Sequence, residues 1–159
     1  MKKEDFTQEE WQVLFTAPSM AGLAVTAASP SGPIGVMKEM FAVGMSLAEL
    51  VKEKSENPLI QALVEDVRQR GTKPQKPGGL KSMDEVKEYA LGQLRSASEI
   101  IDSKDAGAVG EEFKAWLVDI SKRTAEAAKE GGFFGFGGER VSKEEEAMIG
   151  EVSSILNVA

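Results

Sequence analysis

Phe6-Thr7-Gln8-Glu9-Glu10-Trp11 reads as a complete helix start. Thr7 is placed to accept from the amide of Glu10, and Glu10 to reach back to the amide of Thr7. Phe6 stands where an apolar residue before the cap can staple onto Trp11 in the next turn. The same polar device recurs at Ser82-Met83-Asp84-Glu85 and at Ser142-Lys143-Glu144-Glu145. Each is followed by apolar residues every third or fourth position, the period of a helix with one buried face. No run of strictly alternating residues bounded by turns competes with that period. The chain is therefore expected to be all-α.

Working outward from that start, the first helix should run to about Ala28, with Pro18 kinking or splitting it near Ala17. Nearly every side chain from Ala17 to Ala28 is small, a surface that lets another helix approach closely. Ser29-Pro30-Ser31-Gly32-Pro33 is a turn by composition. A second helix is expected from about Ile34 to Lys54, with Ile34, Met37, Phe41, Met45, Ala48 and Val51 on one face. Asn57-Pro58 opens a third, Asn57 capping and Pro58 in the first turn. Its stripe is Leu59, Ile60, Leu63, Val64 and Val67, and Gly71 ends it. Behind Ser82 a helix reaches about Ser103, with Val86, Tyr89, Ala90, Leu94, Ala97 and Ile101 inward. Asp105 is the expected cap of the next. That helix ends near Glu130, with Val109, Phe113, Trp116, Leu117, Ile120, Thr124, Ala127 and Ala128 inward. The last helix buries Met148, Ile149, Val152, Ile155 and Leu156. The expected architecture is a single bundle of about six helices over residues 1–159, broken by a flexible linker at about 71–81. The first helix and the one ending at Glu130 are central, since they carry Trp11 and Trp116.

Composition narrows the chemistry. The 159 residues are long enough to bury a real core, and 42% hydrophobic against 28% charged is an ordinary globular balance. There is no cysteine and no histidine. That removes disulfides, thiolate nucleophiles, the usual metal ligands and the usual general base near neutral pH. With no recognised catalytic motif, the expectation is a protein that is not an enzyme and needs no cofactor. A net charge of −7 without a densely basic segment disfavours nucleic acid. Met1-Lys2-Lys3-Glu4-Asp5 leads into no apolar run, and no apolar stretch is long enough to cross a bilayer, so a cytoplasmic protein is expected.

The functional question sits in Glu130-Gly131-Gly132-Phe133-Phe134-Gly135-Phe136-Gly137-Gly138-Glu139. Five glycines hold regular structure poorly, and three phenylalanines sit poorly in water. Either Phe133, Phe134 and Phe136 fold back and plug the end of the bundle, or they are aromatic anchors for a partner protein or a second copy. A membrane-surface role is disfavoured because no basic cluster accompanies the rings. The glycines match no phosphate-binding fingerprint. Glu139, Glu144, Glu145 and Glu146 complement the dipole at the start of the last helix, which explains them without a metal. Without histidine a carboxylate-bridged di-iron site lacks its usual ligands. An enzyme or ligand carrier, the alternative reading, would use Lys38, Glu39, Tyr89 or Glu130 between the two glycine-containing loops.

Glu9-Glu10-Trp11-Gln12 is similar to Glu111-Glu112-Phe113-Lys114, each followed by an alanine-rich helix and a glycine-containing loop. Two pseudo-repeated helical hairpins around central helices are the arrangement this would give.

Glu10-Trp11 through Ala17-Pro18, with Ala27-Ala28-Ser29-Pro30-Ser31-Gly32-Pro33, resembles the N-terminal pattern of a small prokaryotic all-helical family to which no activity is attached. Glu130-Gly131-Gly132-Phe133 through Gly137-Gly138, with Val141-Ser142 and Glu145, resembles its C-terminal pattern. More loosely, the chain is similar to the TerB-like domains of tellurite-resistance systems, which are acidic, helical and pseudo-repeated. That resemblance implies divalent-cation binding, with Glu39, Glu130 and Glu145 as the matching carboxylates. The gap from Glu130-Gly131 to Glu145 is longer than in those domains, and Ser31-Gly32 lacks their acidic residue.

Overall fold

The computed structural model describes residues 1–28, 55–70, 79–80, 82–130 and 141–159, with the side chains of 67, 68, 70 and 127–130 outside that description. Among the described residues there are five α-helices and no strand: α1 Gln8–Ala28, α2 Pro58–Arg70, α3 Met83–Ser103, α4 Gly107–Glu130 and α5 Lys143–Ile155. A 3-10 turn at Lys3–Asp5 precedes them. The all-α expectation holds. The count of about six included a helix at 34–54, which lies outside the described residues, as do the turn at 29–33 and most of the linker.

The local signals work as chemistry. The Glu10 amide donates to Thr7 Oγ1 at 3.2 Å, and the Thr7 amide donates to Glu10 Oε2 at 2.8 Å. The Phe6 and Trp11 rings lie 5.8 Å apart, the staple that fixes how the chain enters α1. Asn57 Oδ1 accepts from the amides of Leu59 and Ile60. Ser82 Oγ accepts from the Glu85 amide.

α1 is the hub. Every residue from Leu14 to Ala27 is buried, and the helix packs most extensively against α3, then against α4 and α5. The small-residue face explains how. Ser121 of α4 donates from its Oγ to the Ala21 carbonyl of α1 at 3.1 Å, a bond that needs the two backbones close together. α4 touches each of the other four helices. Among the described residues α2 packs mainly on α4 and on the N-terminal turn.

Three expectations are corrected. Of the kink or split expected at Pro18, the split is absent: α1 runs unbroken from Gln8 to Ala28. A proline lacks the N–H that would reach the Leu14 carbonyl. Here both halves of the helix bury their side chains in one core, and Thr16 Oγ1 lies within bonding distance of the carbonyls of Gln12 and Val13 in the preceding turn. Asp105 does not cap α4. It takes a left-handed conformation (φ 52°) in the turn after α3, and the Gly110 amide donates to Ala106 O, so the helix begins one residue later. Asp tolerates that region better than most residues, and Gly107 follows with φ 51°. Tyr89 is not inward: it is 37% exposed, while Val86, Ala90, Leu94, Ala97 and Ile101 form the buried stripe. A residue one step off that stripe stands at its edge, where the hydroxyl stays wet.

Candidate functional site

Phe133, Phe134 and Phe136 lie outside the described residues. What the structure fixes is the pair of helices they join. α4 ends at Glu130, and α5 begins at a cap on Ser142. α4 and α5 pack on each other and on α1.

Glu145 is the one metal candidate whose side chain is described, and it is occupied. It is buried, and its Oε2 accepts from the Ser142 amide at 2.9 Å and from Ser142 Oγ at 3.0 Å. Its own amide donates to Ser142 Oγ. A carboxylate spent on a reciprocal cap is poorly placed to leave it for a cation. Glu39 and the side chain of Glu130 lie outside the described residues. Among the described residues no group of three or more carboxylates is placed to hold a metal ion.

The N-terminal start has more partners than its sequence announces. Asp66 of α2 accepts from Trp11 Nε1 at 2.9 Å and from Lys3 Nζ at 2.8 Å, and the Lys3 ammonium stands 5.6 Å from the Trp11 ring centre. On the other side, Lys104 Nζ reaches Glu10 Oε2 at 2.9 Å and sits 5.7 Å from the Phe6 ring centre. Each aromatic of the staple is thus faced by a cation that is itself held by a carboxylate. The Lys104 ammonium, with the Thr7 amide, holds the Glu10 carboxyl below the usual glutamate range.

Two buried polar groups had no signal in the sequence. Lys114 follows Phe113 in the polar part of α4, yet its side chain is only 8% exposed, with Nζ 2.6 Å from Asp102 Oδ1 across the α3–α4 turn. It lies against a cleft of about 530 Å³ that also includes Glu111, Glu112 and the 157–159 tail. Trp116, 5% exposed, has an indole N–H with no acceptor among the described residues. Trp116 was expected inward, but nothing local could have flagged its unmet N–H or the burial of Lys114, since both depend on which helices meet.

Trp116 belongs to a mostly apolar groove of about 570 Å³ between the start of α2 and the middle of α4. Ile60, Ala115 and Trp116 form its apolar part, and Glu56, Glu112 and Asp119 surround them. Asn57 fixes its two walls: Nδ2 donates to Val109 O at 2.9 Å and to Glu112 Oε2 at 3.0 Å. A third groove, of about 480 Å³, runs between α1 and α3 beside Tyr89 and carries the amides of Gln8, Gln12 and Gln93. Tyr89 faces these neutral amides and Glu9 there; Lys38, Glu39 and the side chain of Glu130, the other acid–base candidates, lie outside the described residues. No family model, curated protein or solved structure matches this chain.

Proposed function

We propose that this chain is a non-enzymatic interaction protein of the cytoplasm that docks a protein partner, or a second copy of itself, through Phe133, Phe134 and Phe136. One observation carries the reading. The described helices turn their apolar side chains inward so fully that Tyr89 is the exposed large hydrophobic among them. An apolar docking surface therefore has to come from elsewhere, and the segment joining α4 to α5 holds three phenylalanines in ten residues. The described polar groups add support. Glu10, Asp66, Asp102, Glu112 and Glu145 each hold another part of the fold in place, as caps, ion pairs or hydrogen-bond acceptors. Among the described residues no helix is long and apolar enough to cross a membrane, which agrees with a partner in water.

The test replaces Phe133, Phe134 and Phe136 by serine together. Docking predicts that melting stays within about 3 °C of the parent, since truncation of exposed side chains moves stability little. Self-association in sedimentation, or co-purification with the partner, is lost. A fall in melting temperature of more than about 5 °C with association unchanged would mean that the rings plug the bundle.

A further inference from the structure

We infer that the cleft at the α3–α4 turn binds a free amino acid with a cationic side chain, its carboxylate on Lys114 and its cationic groups on the acidic wall. Lys114 is the reason. Its side chain is 8% exposed, and its ammonium carries three N–H donors. Asp102 Oδ1 takes one at 2.6 Å, and no other acceptor among the described residues takes the remaining two. A buried cation with unmet donors is costly unless oxygen atoms from outside complete it. Asp102 lines the cleft together with Lys114, so the ammonium stands beside open space rather than within the packed core.

The space has two compartments. The larger, about 530 Å³, lies between α4 and the 157–159 tail, and a smaller one of about 140 Å³ runs to Gly107 and Gly110 at the start of α4. Asp102, Glu111 and Lys114 line both, so they stand where the two meet. Ala115 and Val158 give the larger one an apolar patch over which an aliphatic stem can lie. The charges decide the ligand class. Glu111 is exposed and bonds nothing among the described residues. Glu112 has one oxygen on Asn57, and Asp105 stands in the smaller compartment. Four carboxylates against one ammonium repel a simple anion. A bare amine answers the carboxylates and leaves the two Lys114 donors unmet. A molecule with one carboxylate and more than one cationic group meets both demands, and a basic amino acid is the simplest of that class.

The test is isothermal titration of arginine into the full chain, beside agmatine, which keeps the guanidinium and the amine but has no carboxylate. The expected result is saturable arginine binding at about 1 mM or tighter, with agmatine about tenfold weaker despite its greater positive charge, since it loses a charge-assisted contact. Lys114→Met keeps the stem and removes the ammonium, and Asp102, 58% exposed, returns to water. That variant should weaken arginine about tenfold and leave agmatine within about twofold. Glu111→Gln, at an exposed position, should weaken both by about threefold or more. Lys122→Met, exposed on the same helix, is the control and should change neither by more than about twofold. No saturation by about 10 mM arginine overturns the inference, the unmet donors then holding only water. So does agmatine binding as tightly as arginine, or an equal effect of Lys114→Met and Lys122→Met, since each leaves only attraction to an acidic surface. Should Lys114→Met fail to fold, the arginine-to-agmatine ratio and Glu111→Gln decide the matter by themselves. The triple phenylalanine-to-serine protein should bind arginine as the parent does, which separates a failure here from a failure of the loop.

Discussion

The Asn57 side chain accepts from the amides of Leu59 and Ile60 with its oxygen while its nitrogen donates to Val109 O and Glu112 Oε2. It is 2% exposed; its two bonds to the Leu59 and Ile60 amides are buried, and the two to α4 are partly so. Only the first half of that arrangement is a capping matter. By capping preference alone aspartate would serve as well as asparagine. Here the second oxygen of an aspartate would face a carbonyl and a carboxylate, turning two bonds into two repulsions. Asn57→Asp is therefore expected to lose about 2–4 kcal/mol in urea unfolding, although it keeps the cap. A loss under about 0.5 kcal/mol would show that the contact to α4 carries no weight. Asn57→Ala removes both halves and leaves the α4 acceptors unpaired, so it should fall in the same range rather than at the milder level of an exposed cap.

Helix identity was readable because its determinants are near in sequence. Thr7, Ser82 and Ser142 each need a partner only three residues away, and the Phe6–Trp11 pair only one turn. What was not readable depends on distant residues. Asp66 meets Lys3 and Trp11 from more than fifty residues away, and Asn57 meets α4 over a similar separation. Lys114 becomes buried only because the α3–α4 turn brings Asp102 to it. The turn also shows why Asp105 was misread: good cap chemistry does not place a residue at the cap when the chain must reverse in three residues. That tight reversal makes a further residue critical. A side chain on Gly110 would put its Cβ 2.6 Å from Ile101 Cγ2 and 2.8 Å from Ala106 Cβ. Both are short, stiff groups that cannot swing away. Gly110→Ala gains about 1 kcal/mol of helix propensity, yet overpacking costs about 1–3 kcal/mol. The expected net is a loss of up to about 2 kcal/mol in chemical denaturation, and a stabilised variant would mean that α3 and α4 can move apart freely. The candidate site was legible in a different sense. Phe133, Phe134 and Phe136 stand out by composition, whereas the α2–α4 groove, made by residues 56, 60, 112, 115, 116 and 119, exists only once the helices are packed.

How the helices share one core sets how the molecule opens. α1 has packed neighbours in α3, α4 and α5, and its stretch from Leu14 to Ala27 is buried on all sides. A helix in that position cannot unfold while its neighbours stay folded, because its removal would expose the inner faces of three others at once. Among the described residues α2 is different: it is tied mainly to α4 and to the N-terminal turn, through Leu59, Ile60, Leu63 and Val64 and through the Asn57 and Asp66 bonds. Elements with fewer packed neighbours open at lower free energy than the whole. Native-state hydrogen exchange should therefore find that amides of α1 between Leu14 and Ala27 exchange only through global unfolding, with free energies equal to the value from denaturant melts. Amides of α2 should exchange at a lower free energy and with a smaller denaturant dependence, since a partial opening exposes less surface. The Lys3 and Trp11 bonds to Asp66 should set part of that gap, and Lys3→Met should lower the α2 values while leaving those of α1 at the global limit. If the α1 amides instead exchange well below the global value, α1 is not the hub of the fold, and the order of assembly around it has to be drawn differently.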